Sequence, residues 1–331
     1  MAHITPRPTR GDAAGPCRCR IRRAARVARC AGRGRDGTWV RASHSRRRTS
    51  QGVGRRAWSA AGSDVRCKGV QPFLAIDRHQ TRDFLAHVPV LLIHGFPFDH
   101  LLWRHQLAAL VGWQCLAPDL RGAGTNVSAP GDEFSMAAYA DDVIRQLDDA
   151  GADQAVVCGL SMGGYIVFEL LRRFRQRVHA AILSNTKAAA DTAEGKRGRD
   201  AMATRAQAAG VRGVAAELVP KVVARATYER RPDVVNEVRE MILRQPLAGV
   251  VGALRALRDR PDSTPLLGTI RVPVLVIAGD DDQIAPAAGM QEMARAIPIA
   301  QFVLIPESGH LSPLEQPQAV NDALNAFLAQ L

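Results

Sequence analysis

The pentapeptide Gly-Leu-Ser-Met-Gly at residues 159–163 decides the fold of this chain, because it joins two apolar runs of different character. The run before it, residues 155–158, is short and contains adjacent valines, which favours a buried strand. The run after it, residues 165–171, is longer and almost entirely apolar, which favours a buried helix. A serine on a tight strand-to-helix turn has a strained backbone that exposes its hydroxyl, and the free N–H groups of the new helix lie beside it. The stretch therefore predicts that Ser161 is a nucleophile at the end of a buried strand.

The positive charge of the chain is concentrated in its first 68 residues. The whole chain has 331 residues and a net charge of +12. Residues 1–68 contain 18 of the 44 Lys and Arg residues and only three acidic residues, so this segment carries +15 and the rest of the chain −3. Its Arg-, Ala-, Gly- and Ser-rich sequence has no apolar period and cannot offset the entropy of ordering. We expect a disordered extension, with a transit peptide or a nucleic-acid-binding arm as the alternatives.

The cysteines and the hydropathy pattern indicate the compartment. Four of the six cysteines lie in residues 1–68, and Cys115 and Cys158 lie in apolar runs typical of reduced core residues. A body without a disulfide framework is typical of a reducing compartment. No run reaches the 18 or so apolar residues of a membrane span, and the N-terminus lacks the apolar core of a secretory signal. We expect a cytoplasmic protein with no membrane partner.

Strand-like and helix-like runs alternate through the rest of the chain, which is typical of an α/β protein with a doubly wound, mostly parallel sheet. Residues 188–266 interrupt this alternation with four helical patterns and no strand. We expect this segment to be a helical cap inserted after the sixth strand, with residues 69–187 and 267–331 as the core. Apolar strand candidates lie at residues 73–76, 88–93, 114–118, 155–158, 179–183, 272–277 and 301–305.

Two later strand ends supply the residue types that activate a serine. In such a sheet, ligands bind beyond the carboxyl ends of the strands. Three aspartates, residues 280–282, follow the strand at 272–277, and His310 follows the strand at 301–305. A histidine can accept the serine proton near neutral pH, and an aspartate behind it fixes the tautomer of the ring. Serine, acid and histidine occur here in the chain order expected for this kind of fold.

The oxyanion of a tetrahedral intermediate needs backbone donors. We expect these to be the N–H groups of Met162, directly after the serine, and of Phe96, just after a His-Gly pair. The Phe96 side chain is predicted to line the substrate pocket. Trp103 is a second candidate for substrate contact, with core packing as the alternative. Asp119 and Arg121 are predicted to brace their loop through a local ion pair.

Several short motifs, taken in order, resemble the α/β-hydrolase family. The resemblance extends from about residue 70 to the end, and it is closest to the branch of 3-oxoadipate enol-lactonases, small carboxylesterases and cofactor-free haloperoxidases. It implies an α/β-hydrolase fold, a cap over the site, and Asp282 rather than its two neighbours as the acid. One departure is residues 77–86, a poor match to the strand pair that precedes the His-Gly loop in the family. The motifs are residues 94–97, 119–122, 159–164, 279–286 and 309–310.

Together these features predict a serine hydrolase that cleaves carboxylic esters or lactones of small molecules through Ser161, His310 and Asp282 and an acyl-enzyme. Amide hydrolysis and cofactor-free perhydrolysis, which gives haloperoxidase activity, are alternatives on the same triad. A non-catalytic binding protein with a basic nucleic-acid-binding tail is an alternative of another class, disfavoured by the intact triad. No His-rich cluster, phosphate loop or dinucleotide fingerprint occurs, so neither metal nor cofactor is expected. The arginines of residues 197–260 are predicted to lie on solvated helix faces.

Overall fold

A parallel sheet of six strands, in the order β2-β1-β3-β4-β5-β6, forms the centre of the computed structural model, which describes residues 88–127 and 133–331. The predictions for residues 1–68, for a strand at 73–76 and for the segment 77–86 lie outside the described residues. The strands are β1 Val90–Ile93, β2 Cys115–Leu116, β3 Ala155–Leu160, β4 Val178–Ser184, β5 Val274–Gly279 and β6 Ala300–Ile305.

Three of the strands predicted from apolar runs are buried along their whole length. Every residue of β1, β3 and β5 is buried, as expected for strands that are covered by helices on both faces. The outer strand β2 is shorter than the apolar run at residues 114–118, and its two residues are only half-buried. The doubly wound parallel sheet predicted from the alternation is therefore confirmed.

Helices cover the sheet and form a separate segment between β4 and β5. Short 3-10 helices span His100–Trp103, Arg175–Arg177 and Thr264–Thr269. Among the described helices, none combines the length and the hydropathy that a bilayer span requires. The α-helices are α1 Arg104–Ala109, α2 Met136–Asp149, α3 Met162–Arg173, α4 Ala193–Ala209, α5 Val211–Val222, α6 Arg225–Arg230, α7 Pro232–Leu243, α8 Leu247–Arg258, α9 Ala287–Arg295, α10 Ser312–Glu315 and α11 Pro317–Leu328.

The helical insertion, α4 to α8, follows the fourth of the described strands. The predicted position after the sixth strand depends on strand predictions that lie outside the described residues. The predicted cap boundaries at residues 188 and 266 stay a prediction. The insertion is joined to the core through Asp99, whose carboxylate accepts hydrogen bonds from the Arg244 guanidinium at 2.6 Å and from the Gln245 amide at 3.0 Å.

Candidate active site

Ser161 occupies the turn between β3 and α3 in a backbone conformation that side-chain-bearing residues rarely adopt. Its φ is +54° and its ψ is −112°. The turn is fixed from the neighbouring strand, because the Ser161 N–H donates to the Ser184 carbonyl at 3.0 Å and the Thr186 hydroxyl donates to the Ser161 carbonyl at 2.8 Å. The strained serine predicted from the pentapeptide is therefore present, with its conformation imposed by the end of β4.

The glycines around Ser161 are required by close backbone contacts. A Cβ on Gly159 would lie 2.3 Å from the carbonyl carbon of Gly163, and a Cβ on Gly163 would lie 2.3 Å from the Ile93 carbonyl oxygen. Both distances are far below a van der Waals contact. Helix α3 can thus begin directly against β1 and β3 only with glycine at these two positions.

Of the three consecutive aspartates, Asp282 is the one that contacts His310. The His310 Nδ1 lies 2.8 Å from Asp282 Oδ2, and both side chains are almost fully buried. The other oxygen of Asp282 accepts the backbone N–H groups of Ile284 at 2.8 Å and Ala285 at 2.9 Å. An ionised carboxylate only accepts, so Nδ1 carries the proton and Nε2 is left to accept one. The loop after β5 therefore holds the ring in the tautomer that a general base requires.

The contacts of Asp282 keep it ionised. Burial alone would raise the pKa of Asp282, but attraction to the His310 ring and the hydrogen bonds from His310, Ala285 and Asn185 outweigh that effect, so the pKa lies below its ordinary value. A permanent negative charge behind His310 stabilises the imidazolium that forms when the ring accepts a proton.

Asn185 is a member of this network that sequence analysis missed. It directly follows β4 and has a positive φ of 46°. Its amide Nδ2 donates to Asp282 Oδ2 at 3.0 Å and to the Gly309 carbonyl at 3.1 Å. It therefore joins the aspartate loop to the histidine loop. Its position just beyond the carboxyl end of a central strand is the signal that could have identified it.

Glu315 is a second residue that sequence analysis did not assign to the site. Its side chain is almost fully buried, and it accepts the N–H groups of Gly309 at 3.0 Å and Leu311 at 3.1 Å, the two neighbours of His310. The same carboxylate accepts the Ala224 N–H of the helical insertion at 2.7 Å. Burial raises the pKa of Glu315, and these hydrogen bonds only partly offset the effect. Glu315 thus ties the histidine loop to the insertion.

Two backbone N–H groups beside Ser161 have no partner. Within the described chain, neither the Phe96 nor the Met162 amide donates a hydrogen bond to the protein. A Cβ on Gly95 would lie 3.3 Å from the Ser161 Cβ, so the loop that carries the Phe96 amide passes directly beside the serine. The two amides predicted from sequence are therefore free to donate to a ligand next to Ser161.

Ser161 and His310 line one and the same cavity. In the described chain the two groups are not hydrogen-bonded to each other, as is common in sites without substrate. Most of the remaining walls are apolar and come from the helical insertion. The described lining residues are Phe96, Ser161, Tyr165, Arg199, Leu218, Val222, Leu257, Ile284 and His310.

Trp103 is not brought to this cavity. Its side chain is 0% exposed, and it is not among the described residues that line the space around Ser161 and His310. Trp103 therefore packs in the core, which was the alternative that the sequence left open.

The prediction of an ion pair between Asp119 and Arg121 is wrong. The Asp119 carboxylate accepts hydrogen bonds from His100 and Thr125, whereas Arg121 pairs with Asp142 on α2.

One group of side chains has the spacing of metal ligands, but its oxygens already have partners. Ligand atoms of Asp99, His100 and Asp119 lie within 4.8 Å of one another. The Asp99 carboxylate is ion-paired with Arg244, whose positive charge would repel a cation. Asp119 is bonded to His100 at 2.8 Å. These three side chains lie close together because they hydrogen-bond to one another's loops and to the helical insertion, and no metal is needed to explain their spacing.

Comparison with known proteins agrees with this geometry. Over residues 88–317 the chain matches the family model described as alpha/beta hydrolase fold. It is 30% identical to 3-oxoadipate enol-lactonase 2 of Acinetobacter baylyi over 228 residues, which cover 69% of this chain and 83% of that protein. It is 40% identical to a thermophilic esterase from Thermogutta terrifontis, solved with malate bound, with a TM-score of 0.71 and coverage of 73% and 90%. The enol-lactonase from Burkholderia xenovorans gives 29% identity, a TM-score of 0.67 and coverage of 73% and 92%.

The family model matches more than half of the chain, and the relatives match over most of their own length. The structure of this chain independently shows the parallel sheet, the strained turn at Ser161 and the His-Gly loop beside that turn. The chain belongs to the α/β-hydrolase family.

Proposed function

We propose that this protein is a serine hydrolase that cleaves carboxylic esters or lactones of small molecules. One observation supports this most strongly: a histidine oriented by a buried aspartate lines the same cavity as a strained serine. Beside that serine lie two backbone amides that have no partner among the described residues. Nucleophile, base, orienting acid and oxyanion donors are the four parts that acyl transfer requires. Similarity to esterases and enol-lactonases favours esters and lactones over other acyl compounds.

In the first half of the proposed reaction, the Ser161 hydroxyl attacks the substrate carbonyl while His310 Nε2 takes its proton. The carbonyl oxygen becomes negative and accepts hydrogen bonds from the Phe96 and Met162 amides. His310 then returns the proton to the leaving alcohol as the carbon–oxygen bond breaks. The product of this half is an acyl group bonded to Ser161 and a free alcohol, or the opened ring in the case of a lactone.

In the second half, His310 takes a proton from water, and the resulting hydroxide equivalent attacks the acyl-enzyme. The same two amides stabilise the second tetrahedral intermediate, and His310 gives its proton to the Ser161 oxygen as the acid leaves. Asp282 stays ionised throughout, because its lowered pKa keeps it charged at neutral pH. Every step uses side chains or amides of this chain, without a cofactor.

Amide hydrolysis and perhydrolysis are alternative outcomes of the same acyl-enzyme, since only the leaving group or the attacking nucleophile changes. A non-catalytic binding protein with a basic nucleic-acid-binding tail is the alternative of a different class. It would not explain the two amides beside Ser161, which have no partner among the described residues.

We also propose a cytoplasmic location, core segments at residues 69–187 and 267–331, and a cap at 188–266.

Hydrolysis of a p-nitrophenyl ester series from acetate to decanoate tests the proposal. We expect activity in the wild-type protein and a loss of about 10³-fold or more in Ser161→Ala, the scale of losing a nucleophile. Ser263→Ala is a matched control, because that buried serine bonds Arg172 and does not line the cavity. Equal rates in wild type and Ser161→Ala, with both proteins folded, would exclude Ser161 as the nucleophile for these esters.

A further inference from the structure

An arginine from the helical insertion lines the cavity that contains Ser161 and His310, and the proposed mechanism does not use it. Arg199 lies on α4, and its side chain is 24% exposed. Among the described residues that line this cavity, it is the one with a permanent charge. Sequence analysis placed the arginines of residues 197–260 on solvated helix faces. That prediction is wrong for Arg199, which lines the cavity, and for Arg260, which is buried.

The charge of Arg199 is only partly compensated. Its Nε lies 3.0 Å from one oxygen of Asp191, and the other oxygen of Asp191 lies 2.8 Å from the guanidinium of Arg260. Arg260 is buried, with its side chain 1% exposed, and its guanidinium also stacks 4.3 Å above the ring centre of Tyr165, another residue of the cavity wall. One carboxylate therefore serves two guanidinium groups, and this corner of the site has an excess of positive charge.

A neighbouring lysine responds to the same excess. Burial lowers the pKa of Lys187, and repulsion from Arg260 and Arg199 lowers it further. The carboxylates of Asp191 and Asp282 act in the opposite direction but do not cancel the effect. The positive charge of the two guanidinium groups therefore also affects Lys187, which is not part of their ion pairs. An anion that entered the cavity would meet an attractive field there.

The terminal nitrogens of Arg199 are available to a ligand. Only its Nε donates within the described chain, to Asp191. A guanidinium whose two terminal nitrogens are free can bind a carboxylate through two parallel hydrogen bonds, a geometry that an ammonium group cannot reproduce. The apolar residues Leu218, Val222 and Leu257 line the same cavity as Arg199 and Ser161.

We propose that Arg199 binds a carboxylate group of the substrate, so that the preferred substrates are short esters or lactones that carry a free carboxylate. The apolar wall accommodates a short methylene chain between the carboxylate and the reacting carbonyl at Ser161. This inference rests on the proposed ester or lactone hydrolysis, and it assigns the substrate class for the same site.

A comparison of kcat/KM for a charged and a neutral ester tests the assignment. The probes are monomethyl glutarate and dimethyl glutarate, which differ by the presence of a free carboxylate, and kcat/KM is measured for each by proton release. We expect wild type to prefer the monoester and Arg199→Gln to lower the monoester-to-diester ratio by about 10- to 100-fold, the scale of one charge-assisted pair. The monoester-to-diester ratio of Arg199→Lys is expected to lie between those of wild type and Arg199→Gln.

Arg205→Gln is the matched control, since Arg205 lies on the same helix, is exposed and pairs with Glu217 instead. Its monoester-to-diester ratio is expected to equal that of wild type. An unchanged ratio in Arg199→Gln, with thermal unfolding showing a folded protein, would overturn the assignment.

Binding of glutarate, measured by titration calorimetry, separates this proposal from the proposed function. If no ester is hydrolysed, the proposed function fails, while the carboxylate site still predicts that wild type binds glutarate more tightly than Arg199→Gln. Equal affinity for the two proteins, or no binding to either one, would exclude Arg199 as a carboxylate site whatever the outcome of the kinetic test.

Discussion

Replacing Asp282 by Asn alters the central contact of the site with almost no change of shape. Asp282 now accepts from Ile284, Ala285, Asn185 and His310. If the new amide oxygen keeps the two backbone N–H groups, its NH₂ group faces the two side chains that donate to Asp282. The His310 ring can then accept at Nδ1 only by carrying its proton on Nε2, and that tautomer cannot take the Ser161 proton.

The size of the effect follows from these contacts. Loss of the base tautomer and of the charge behind the imidazolium is expected to lower kcat about 10³- to 10⁴-fold, or about 4–5.5 kcal/mol of transition-state stabilisation. The Asn185 amide also loses one of its two acceptors, because it keeps only the Gly309 carbonyl. A buried donor left unpaired costs about 1–3 kcal/mol of the free energy of unfolding.

Steady-state hydrolysis of p-nitrophenyl acetate measures the first effect, and urea unfolding measures the second. Asp281→Asn is the matched control. Among the described residues, the Asp281 carboxylate accepts only the Arg225 N–H, and an amide oxygen can keep that hydrogen bond. We expect that control to stay within about threefold of wild type, the range of ordinary surface substitutions. Two results would refute the assignment of the acid. One is an Asp282→Asn variant that keeps more than a tenth of wild-type kcat, and the other is an Asp281→Asn variant whose kcat falls as far as that of Asp282→Asn.

Four further perturbations have defined outcomes. Glu315→Gln is expected to lower the free energy of unfolding in urea by about 1–3 kcal/mol, because the amide nitrogen would face the donating Ala224 N–H; equal stability would contradict that contact. Gly163→Ala is expected to abolish folding or activity, since its Cβ would lie 2.3 Å from a carbonyl oxygen of β1. Gly198→Ala, with open space at its Cβ, is expected to raise the midpoint of urea unfolding by the equivalent of about 0.5–1 kcal/mol; the reverse order would refute the packing. The stability that ionised Asp282 contributes is present above its unfolded pKa of about 3.9 and is lost as the pH falls through the lower folded value, so the stability gap between wild type and Asp282→Asn should narrow below about pH 4 and not above it.

The fold could be predicted because burial on both faces leaves a clear record in the sequence. Strands β1, β3 and β5 are continuous apolar runs, and no polar residue within them competes with that pattern. The glycines around Ser161 are equally informative, since helix and strand approach there more closely than any side chain allows. Strand β2, the outer one of the described strands on its side of the sheet, is shorter than the apolar run that predicted it. A strand ends where its pairing ends, and hydropathy does not indicate that point.

The missed residues depend on contacts between distant parts of the chain. Asn185 and Asp282 are 97 residues apart, and Ala224 and Glu315 are 91 apart. No local pattern announces such a pair. The same cause explains Arg121, which pairs with Asp142 on α2 rather than with its near neighbour Asp119. Arg199 also belongs here, because whether a helix face meets solvent or a cavity depends on how the insertion packs.

The most direct test of the central claim is to identify the nucleophile chemically. The full-length protein is treated with an aryl fluorophosphonate, which reacts with an activated serine, and the adduct is located by mass spectrometry of the intact protein and its peptides. We expect one phosphonyl group per chain, on Ser161, and much slower labelling in His310→Ala. An adduct on another residue, or no adduct on a folded and ester-cleaving protein, would contradict it.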